Sequence, residues 1–205
     1  DSEYVSYLYT EADDELDFYF MNGGSMAGTI KEYRFLTGKA TMLPKWAFGY
    51  LQSQERYETQ EEVLSVASEY RRRGIGLDGI IQDWISWDGA KWGEKTFDKN
   101  RYPKPEEMTK ELHDMDMKLM LSVWSKIDPA SEVGKEATEK KYYIPGTTWI
   151  DFFDQDASTF YWKNFSERLL KPYRIDAWWQ DATEPENDDL EGRRIMKESE
   201  PGERF

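Results

Sequence analysis

From residue 43 onward, short apolar segments alternate with amphipathic segments, and this alternation constrains the fold more than any other feature of the chain. We predict four strands, over residues 46–52, 79–84, 118–124 and 175–181, each rich in aliphatic and aromatic side chains. Helix-like segments separate consecutive strands. Strands that are apolar almost throughout are typical of a parallel sheet covered by other elements.

The segments between the predicted strands carry helix signals. Thr59 and Glu62 form a predicted capping box at the start of the first helix. Pro105 begins the second helix, and the third is predicted to start near Asp156. The connection over residues 125–147 is long enough that we expect it to be functional or mobile.

Two architectures fit this alternation, a doubly wound sheet and a (β/α)8 barrel. A doubly wound nucleotide-binding sheet is disfavoured because no glycine-rich phosphate loop follows the first strand. In a barrel, functional residues lie at the carboxyl ends of the strands. The four predicted strand ends carry polar or aromatic residues, namely Gln52, Asp83, Trp84, Trp124 and Asp181. We therefore predict an α/β fold of the TIM-barrel type, with four βα units of the eight visible.

The first 42 residues do not follow the barrel pattern. Residues 4–9 and 16–20 are predicted as short strands, and we assign residues 1–25 to the edge of a preceding β-sandwich domain. Residues 26–42 are predicted to form a linking segment with a short helix at about 26–36. Residues 43–205 are then the first half of the barrel.

Composition excludes several classes of function. A formal net charge of −14 disfavours nucleic acid and anionic membranes as partners, because both are bound by cationic surfaces. No apolar run approaches the roughly 18 residues of a membrane span. The chain has no cysteine and one histidine, His113, which excludes thiolate metal sites, multi-histidine metal sites and a Ser-His-Asp triad within it. His113 is predicted to be structural or solvated, and we expect no cofactor or metal.

The segment over residues 174–186 carries the clearest chemical signal. An apolar, aromatic strand delivers one carboxylate, Asp181, next to Trp178 and Trp179. A glycosidase can use such a carboxylate as its nucleophile while an indole holds the apolar face of a sugar. The 9 Trp and 13 Tyr residues of the chain also suit sugar surfaces. The alternative is a buried strand whose Asp caps a helix.

Four segments, taken in order, resemble the family 31 glycoside hydrolases, which contain α-glucosidases and α-xylosidases. They are residues 37–39 with 42–49, residues 76–84, residues 119–124, and residues 176–181. Each motif is short, but the four occur in the family's order at barrel spacing. The Trp-Trp-Gln-Asp sequence at 178–181, followed by Glu184 and Pro185, is most similar to the α-xylosidase branch.

The resemblance implies a role for each candidate site residue. Asp181 would be the nucleophile of a retaining mechanism, and Asp83 would bind hydroxyls of the non-reducing-end sugar. Trp124 would form a wall of the same subsite, and Trp179, where some members carry Lys, would shape the pocket. Trp84 and Gln52 complete the predicted substrate-binding set. The implied activity is that of an exo-acting α-xylosidase on oligosaccharides.

The second carboxyl group that a retaining glycosidase needs is expected on a later strand, beyond Phe205. Four acidic residues follow Asp181 too closely to fill that role, namely Glu184, Glu186, Asp188 and Asp189. The 205-residue chain alone is therefore expected to be inactive. An α-glucosidase, a non-catalytic carbohydrate-binding module and a doubly wound domain remain alternatives. The oligomeric state and compartment remain open, with secretion or the periplasm slightly favoured.

Overall fold

The computed structural model describes residue 15 and residues 17–182. These residues form two compact units, one ending at Leu43 and the other beginning at Pro44. In the first unit, helix α1 spans Met26–Thr37 and begins where the Ser25 hydroxyl accepts the N–H of Gly28 at 3.1 Å. It ends at Gly38, whose φ of +83° suits a residue without a Cβ. The helix predicted over 26–36 is confirmed.

The two strands predicted near the N-terminus have different outcomes. Residues 4–9 lie outside the described residues. Residues 17–20 have no regular secondary structure, so the strand predicted over 16–20 is wrong for the part that the structure describes. A strand needs a neighbouring strand to pair its N–H and C=O groups, and residues 17–20 pair with none of the described strands.

The second unit is built on a parallel sheet of four described strands in the order β1-β2-β3-β4. The strands are β1 at Leu51–Gln52, β2 at Gly79–Gln82, β3 at Lys118–Trp124 and β4 at Ala177–Asp181. In a doubly wound sheet the strand order reverses at a switch point, whereas here each strand pairs with the next one along the chain. This sequential order is the one that a TIM barrel requires.

The first strand is shorter than predicted. Lys45–Phe48 forms a 3-10 helix instead, in which the N–H of Gly49 donates to the Trp46 carbonyl at 3.1 Å. Pro44 precedes it with φ fixed at −63°, and Phe48 is exposed instead of packing in the core. A short apolar run does not distinguish a strand from a helical turn, and this explains the error.

Helices lie between consecutive strands along the chain. Their bounds are α2 at Gln60–Arg72, α3 at Pro105–Asp114, α4 at Glu132–Lys140, α5 at Gln155–Phe165 and α6 at Lys171–Tyr173, with a π-helical turn at Ser166–Leu170 between the last two. At the start of α2 the Thr59 hydroxyl accepts the Glu62 N–H at 3.1 Å, as predicted. The Glu62 carboxylate accepts instead from the N–H of Glu58, at 2.6 Å. Helix α4 lies inside the connection 125–147 and was not predicted.

The main core lies between the helices and alternate residues of the strands. Ile80, Leu119, Leu121 and Val123 are buried in one cluster with residues of α2, α3 and α5. Trp178 of β4 faces the same side, because its ring packs on Trp162 and Phe165 of α5 at 5.7 Å each. Side chains alternate along a strand, so the intervening residues point to the opposite face, away from the helices.

His113 has the structural role expected of it. Its Nε2 lies 2.7 Å from the Asp176 carboxylate, just before β4, and the same carboxylate oxygen accepts the N–H of Leu119 at 2.9 Å. One carboxylate thereby joins α3, β3 and the start of β4. No helix within the described ranges is both long and apolar enough to cross a membrane.

Candidate active site

The carboxyl ends of β2, β3 and β4 bring together three of the predicted site residues. Asp83 directly follows β2, Trp124 is the last residue of β3, and Asp181 is the last residue of β4. Trp124 and Asp181 are direct neighbours in the register, and Gln82 is paired with Leu121. By strand alternation, all three side chains belong to the face of the sheet away from the helices.

The same turn follows both carboxylates. An Oδ1 atom of Asp83 accepts the N–H of Trp84 at 2.8 Å, and Oδ1 of Asp181 accepts the N–H of Ala182 at 2.9 Å. Trp84 and Ala182 both have positive φ angles, of 45° and 39°. This left-handed conformation costs a residue with a Cβ about 1–3 kcal/mol, and such strain clusters at functional sites. The bond to each Asp helps hold the strained turn.

Asp83 and Asp181 influence each other electrostatically. Partial burial raises the pKa of the Asp83 carboxyl, and the negative charge of Asp181 raises it further. The N–H of Trp84 opposes this shift by stabilising the ionised form. Ser122 is paired with Trp179 across β3 and β4, so both lie on the same face as the two carboxylates. Two interacting carboxylates at one end of a sheet are a common arrangement in a catalytic site.

Tryptophan rings surround these carboxylates. Trp92, in the loop after β2, lies 5.9 Å from the ring of Trp84 and 5.1 Å from that of Trp124, the latter edge to face. The ring of Trp87 packs against the ring of Trp92 at 5.9 Å. The guanidinium of Arg56 stacks over Trp84 at 5.1 Å from its centroid. Trp92 therefore connects Trp84 and Trp124, two of the three predicted site tryptophans.

The backbone carbonyl of Trp124 is held by two buried side chains that sequence reasoning did not identify. It accepts from Nζ of Lys95 at 2.9 Å and from the hydroxyl of Tyr161 at 3.0 Å. Burial lowers the pKa of Lys95 to about 7, partly opposed by the charge of Glu94, and burial raises the pKa of Tyr161. One lysine in a loop has no distinctive sequence signal.

The remaining two predicted residues are placed differently. Trp179 is on the same face as Asp181 and is 51% exposed, so a large part of its indole surface is open to contact. The structure does not bring Gln52 to the group, because its side-chain oxygen accepts from the hydroxyls of Tyr50 and Tyr70, and Tyr70 belongs to α2. Its register partner is Ile80, whose side chain also faces the helices.

The acidic residues excluded as the second carboxyl group lie outside the described residues, and they are Glu184, Glu186, Asp188 and Asp189. Between residues 17 and 182, no cluster of three or more His, Asp or Glu side chains suits a metal ion. The described site thus offers two carboxylates and several indole faces. Such groups can bind and react with a neutral, hydroxyl-rich ring.

Comparison with known proteins also indicates an enzyme that acts on sugars. The model of the glycosyl hydrolases family 31 TIM-barrel domain matches residues 40–204. An α-xylosidase from Saccharolobus solfataricus is 41% identical over 182 residues, covering 87% of this chain and 24% of that protein. An α-glucosidase from the same organism is 29% identical over 197 residues, covering 89% of this chain and 28% of that protein.

Solved structures are similar as well. The family 31 α-xylosidase from Xanthomonas citri has a TM-score of 0.72 and 34% identity, covering 87% of this chain and 22% of that chain. An α-xylosidase from a soil metagenome, solved with xylose, has a TM-score of 0.67 and 33% identity, covering 73% and 24%. This chain spans about a quarter of the length of these relatives. The chain belongs to the family 31 glycoside hydrolases, and residues 40–204 match the TIM-barrel domain of that family.

Proposed function

We propose that the protein containing this chain is a retaining, exo-acting α-glycoside hydrolase that releases α-xylose from the non-reducing end of oligosaccharides. The observation that carries the proposal is the convergence of Asp83, Trp124 and Asp181 at the ends of three neighbouring parallel strands. Family membership supports a hydrolase, and the α-xylosidases among the similar proteins support the xyloside.

Each residue has a proposed role. Asp181 attacks the anomeric carbon and forms a glycosyl-enzyme ester, which water then hydrolyses. Asp83 accepts hydrogen bonds from sugar hydroxyls. Trp124 and Trp84 form the wall of the subsite, and the exposed indole of Trp179 shapes its opening. Gln52 has no role in this proposal, since its amide is engaged on the helix side of the sheet.

The domain organisation is part of the proposal. Residues 1–25 are the edge of a β-sandwich domain, residues 26–42 link it to the barrel, and residues 43–205 form the first half of the barrel. The carboxyl group that protonates the leaving oxygen is proposed to come from a later strand.

The test of the mechanism is the change Asp181→Ala in the whole protein. Losing a nucleophile costs at least three tenfold steps in kcat, about 4 kcal/mol. Added azide should restore part of the rate by attacking the anomeric carbon itself. Asp114→Ala is the matched control, because Asp114 lies at the exposed end of α3 and pairs there with the equally exposed Lys110.

Two results would contradict the mechanism. An Asp181→Ala variant that keeps a third of wild-type activity excludes Asp181 as nucleophile. A wild-type protein that binds sugar without turnover, and in which Asp181 is dispensable, would instead be a carbohydrate-binding module.

The second candidate function is an α-glucosidase. It is favoured by the α-glucosidase that matches 89% of this chain at 29% identity. A glucoside differs from a xyloside by a hydroxymethyl group at C5, so the two need pockets of different size. The ratio of kcat/KM for nitrophenyl α-xyloside and nitrophenyl α-glucoside discriminates them, and a ratio below one would replace the xyloside with the glucoside.

A further inference from the structure

The loop after β2 contains an ionisable side chain that is fully enclosed. Lys95 is 2% exposed, and its Nζ donates to the carbonyls of Gly93 at 3.0 Å and Trp124 at 2.9 Å. The third side of the ammonium group faces the ring of Tyr161, 4.6 Å from its centroid. An ammonium group has three N–H donors, and here two carbonyls and one aromatic face receive them.

Burying this ammonium group is costly, and packing alone does not require it. A buried charge pays a large desolvation penalty, and an apolar side chain of similar volume commonly fills such a space at lower cost. The charge of Glu94 compensates in part, because it favours the protonated form of Lys95. The Glu94 carboxylate is itself bonded to the N–H of Glu132 in α4, at 2.6 Å. A buried Lys that is kept despite this cost needs a role that an apolar residue cannot fill.

The position of Lys95 indicates that role. The carbonyl that it holds belongs to Trp124, the last residue of β3 and the proposed wall of the sugar subsite. Hydrogen bonds at the end of a strand fix the direction in which the last side chain leaves the backbone. Lys95 and Tyr161 approach the same carbonyl from the loop after β2 and from α5, so the end of β3 is held from two sides.

The neighbouring residues of Lys95 hold the ring of Trp124 as well. Trp92 packs edge to face on Trp124 at 5.1 Å, and its carbonyl accepts the N–H of Asp128 at 2.8 Å. Gly93 has φ +70°, and a Cβ there would lie 2.0 Å from the Lys126 carbonyl oxygen. Only glycine allows the loop to come this close to the chain that follows β3.

We propose that Lys95 is a positioning residue for Trp124: its ammonium group fixes the backbone at the end of β3 and thereby the indole that forms the sugar-binding wall. The inference rests on the proposed function, since it assigns Trp124 to the sugar subsite. Lys95 touches no substrate in this scheme and acts through Trp124 alone.

The test compares Lys95→Met, which keeps the volume but loses the donors, with Lys95→Gln, which keeps an uncharged NH2 group with two donors. Measured in the whole protein on nitrophenyl α-xyloside, Lys95→Met should raise KM by about fivefold or more, because the wall no longer fits the sugar. Lys95→Gln should lie between wild type and Lys95→Met. Calorimetric titration with xylose should give the same order of dissociation constants without depending on turnover.

The control is Lys91→Met, the same substitution at an exposed lysine of the same loop, which should leave KM unchanged. A purely structural Lys95 predicts a lower melting temperature with wild-type KM and wild-type xylose affinity. A folded Lys95→Met variant with those two values unchanged therefore overturns the proposal.

If Lys95→Met does not fold, Tyr161→Phe decides. It removes the other hydrogen bond to the Trp124 carbonyl while keeping the ring that faces Lys95, and should raise KM by about two- to threefold. A wild-type KM in both Tyr161→Phe and Lys95→Gln then overturns the proposal. Asp181→Ala separates this inference from the proposed function. If Asp181→Ala stays active, the proposed function is wrong. If it is inactive while the Lys95 variants have a wild-type KM, only the positioning role is wrong.

Discussion

Replacing Asp83 by Asn separates a sugar-binding role from a structural one. The Asn oxygen can still accept the N–H of Trp84, which the Asp carboxylate accepts at 2.8 Å, so the strained turn at φ +45° keeps its support. The substitution removes the charge and replaces the second acceptor oxygen by an NH2 donor. A hydrogen bond to a charged acceptor contributes about 1.5–3 kcal/mol, so losing one bond to a sugar hydroxyl lowers kcat/KM by about 10- to 150-fold.

The effect on stability has the opposite sign. Burial and the charge of Asp181 raise the pKa of Asp83, so the folded protein binds a proton more tightly here than the unfolded chain does. The folded state then loses stability as pH rises through the region between the two pKa values, and above both it carries the full penalty. Asp83→Asn removes that penalty, and its melting temperature at pH 7 should equal or exceed that of wild type.

The assay is steady-state kinetics on nitrophenyl α-xyloside together with thermal unfolding of the same sample. Asp88→Asn is the matched control, because Asp88 lies exposed in the same loop and accepts one backbone N–H, that of Ala90 at 3.2 Å. A variant of Asp83 with a clearly lower melting temperature and normal kcat/KM would refute the reasoning. Asp83 would then serve only to cap its loop.

Three further outcomes follow from the structure. Gly93→Ala should lower the free energy of unfolding by about 2 kcal/mol or more, measured by urea denaturation, because φ is +70° and the new methyl meets the Lys126 carbonyl. Asp154→Ala, which removes the cap that accepts two N–H groups of α5, should cost about 1 kcal/mol, or about 2–4 °C in melting temperature. Lys95 has its pKa lowered to about 7 against 10.5 in an unfolded chain, so between those values the unfolded chain binds the extra proton and stability rises with pH. Lys95→Met should flatten that rise in thermal unfolding between pH 7 and 9.5, and an unchanged slope would contradict it.

Several elements of the fold follow directly from local sequence signals. The seven residues of β3 are all apolar or small apart from Lys118, and the strand has the predicted bounds. Helix α2 begins at its predicted Thr59 cap, and α3 begins at Pro105. In these places the local preference and the burial of one face agree, so a single sequence is sufficient.

Helix α4 was missed because its own pattern is weak. It contains one glycine inside its first turns and few apolar residues, with Val133, Gly134 and Ala137 buried. Its stability comes from tertiary contacts, among them the Glu94 carboxylate at its first turn, which is 38 residues distant in sequence. The Ser131 cap was the one local signal available.

The placement of a candidate site residue was predicted where the residue ends a strand and its side chain also points to the face away from the helices. Asp83, Trp124 and Asp181 are each at a strand end and on the face away from the helices. Gln52 is also at a strand end, but its register with Ile80 turns it toward α2. A sequence pattern can locate the end of a strand. The face to which its last side chain points depends on the register with the neighbouring strand. The role of Lys95 depends on a contact 29 residues distant, which no local pattern contains.

The Asp176 carboxylate links α3, β3 and β4. It also determines which side chains of β4 lie on the face of the sheet that carries the candidate site. Its bonds to Leu119 and His113 set where β4 begins relative to β3. A shift of one position would turn Asp181 toward the helices and bring Gln180 to the reactive face. The carboxylate before the start of β4 thus determines which side chain lies at the candidate site at the other end of the strand. Side chains at the carboxyl ends of the strands can therefore change to fit other sugars, as long as Asp176 keeps the register of β4 with β3.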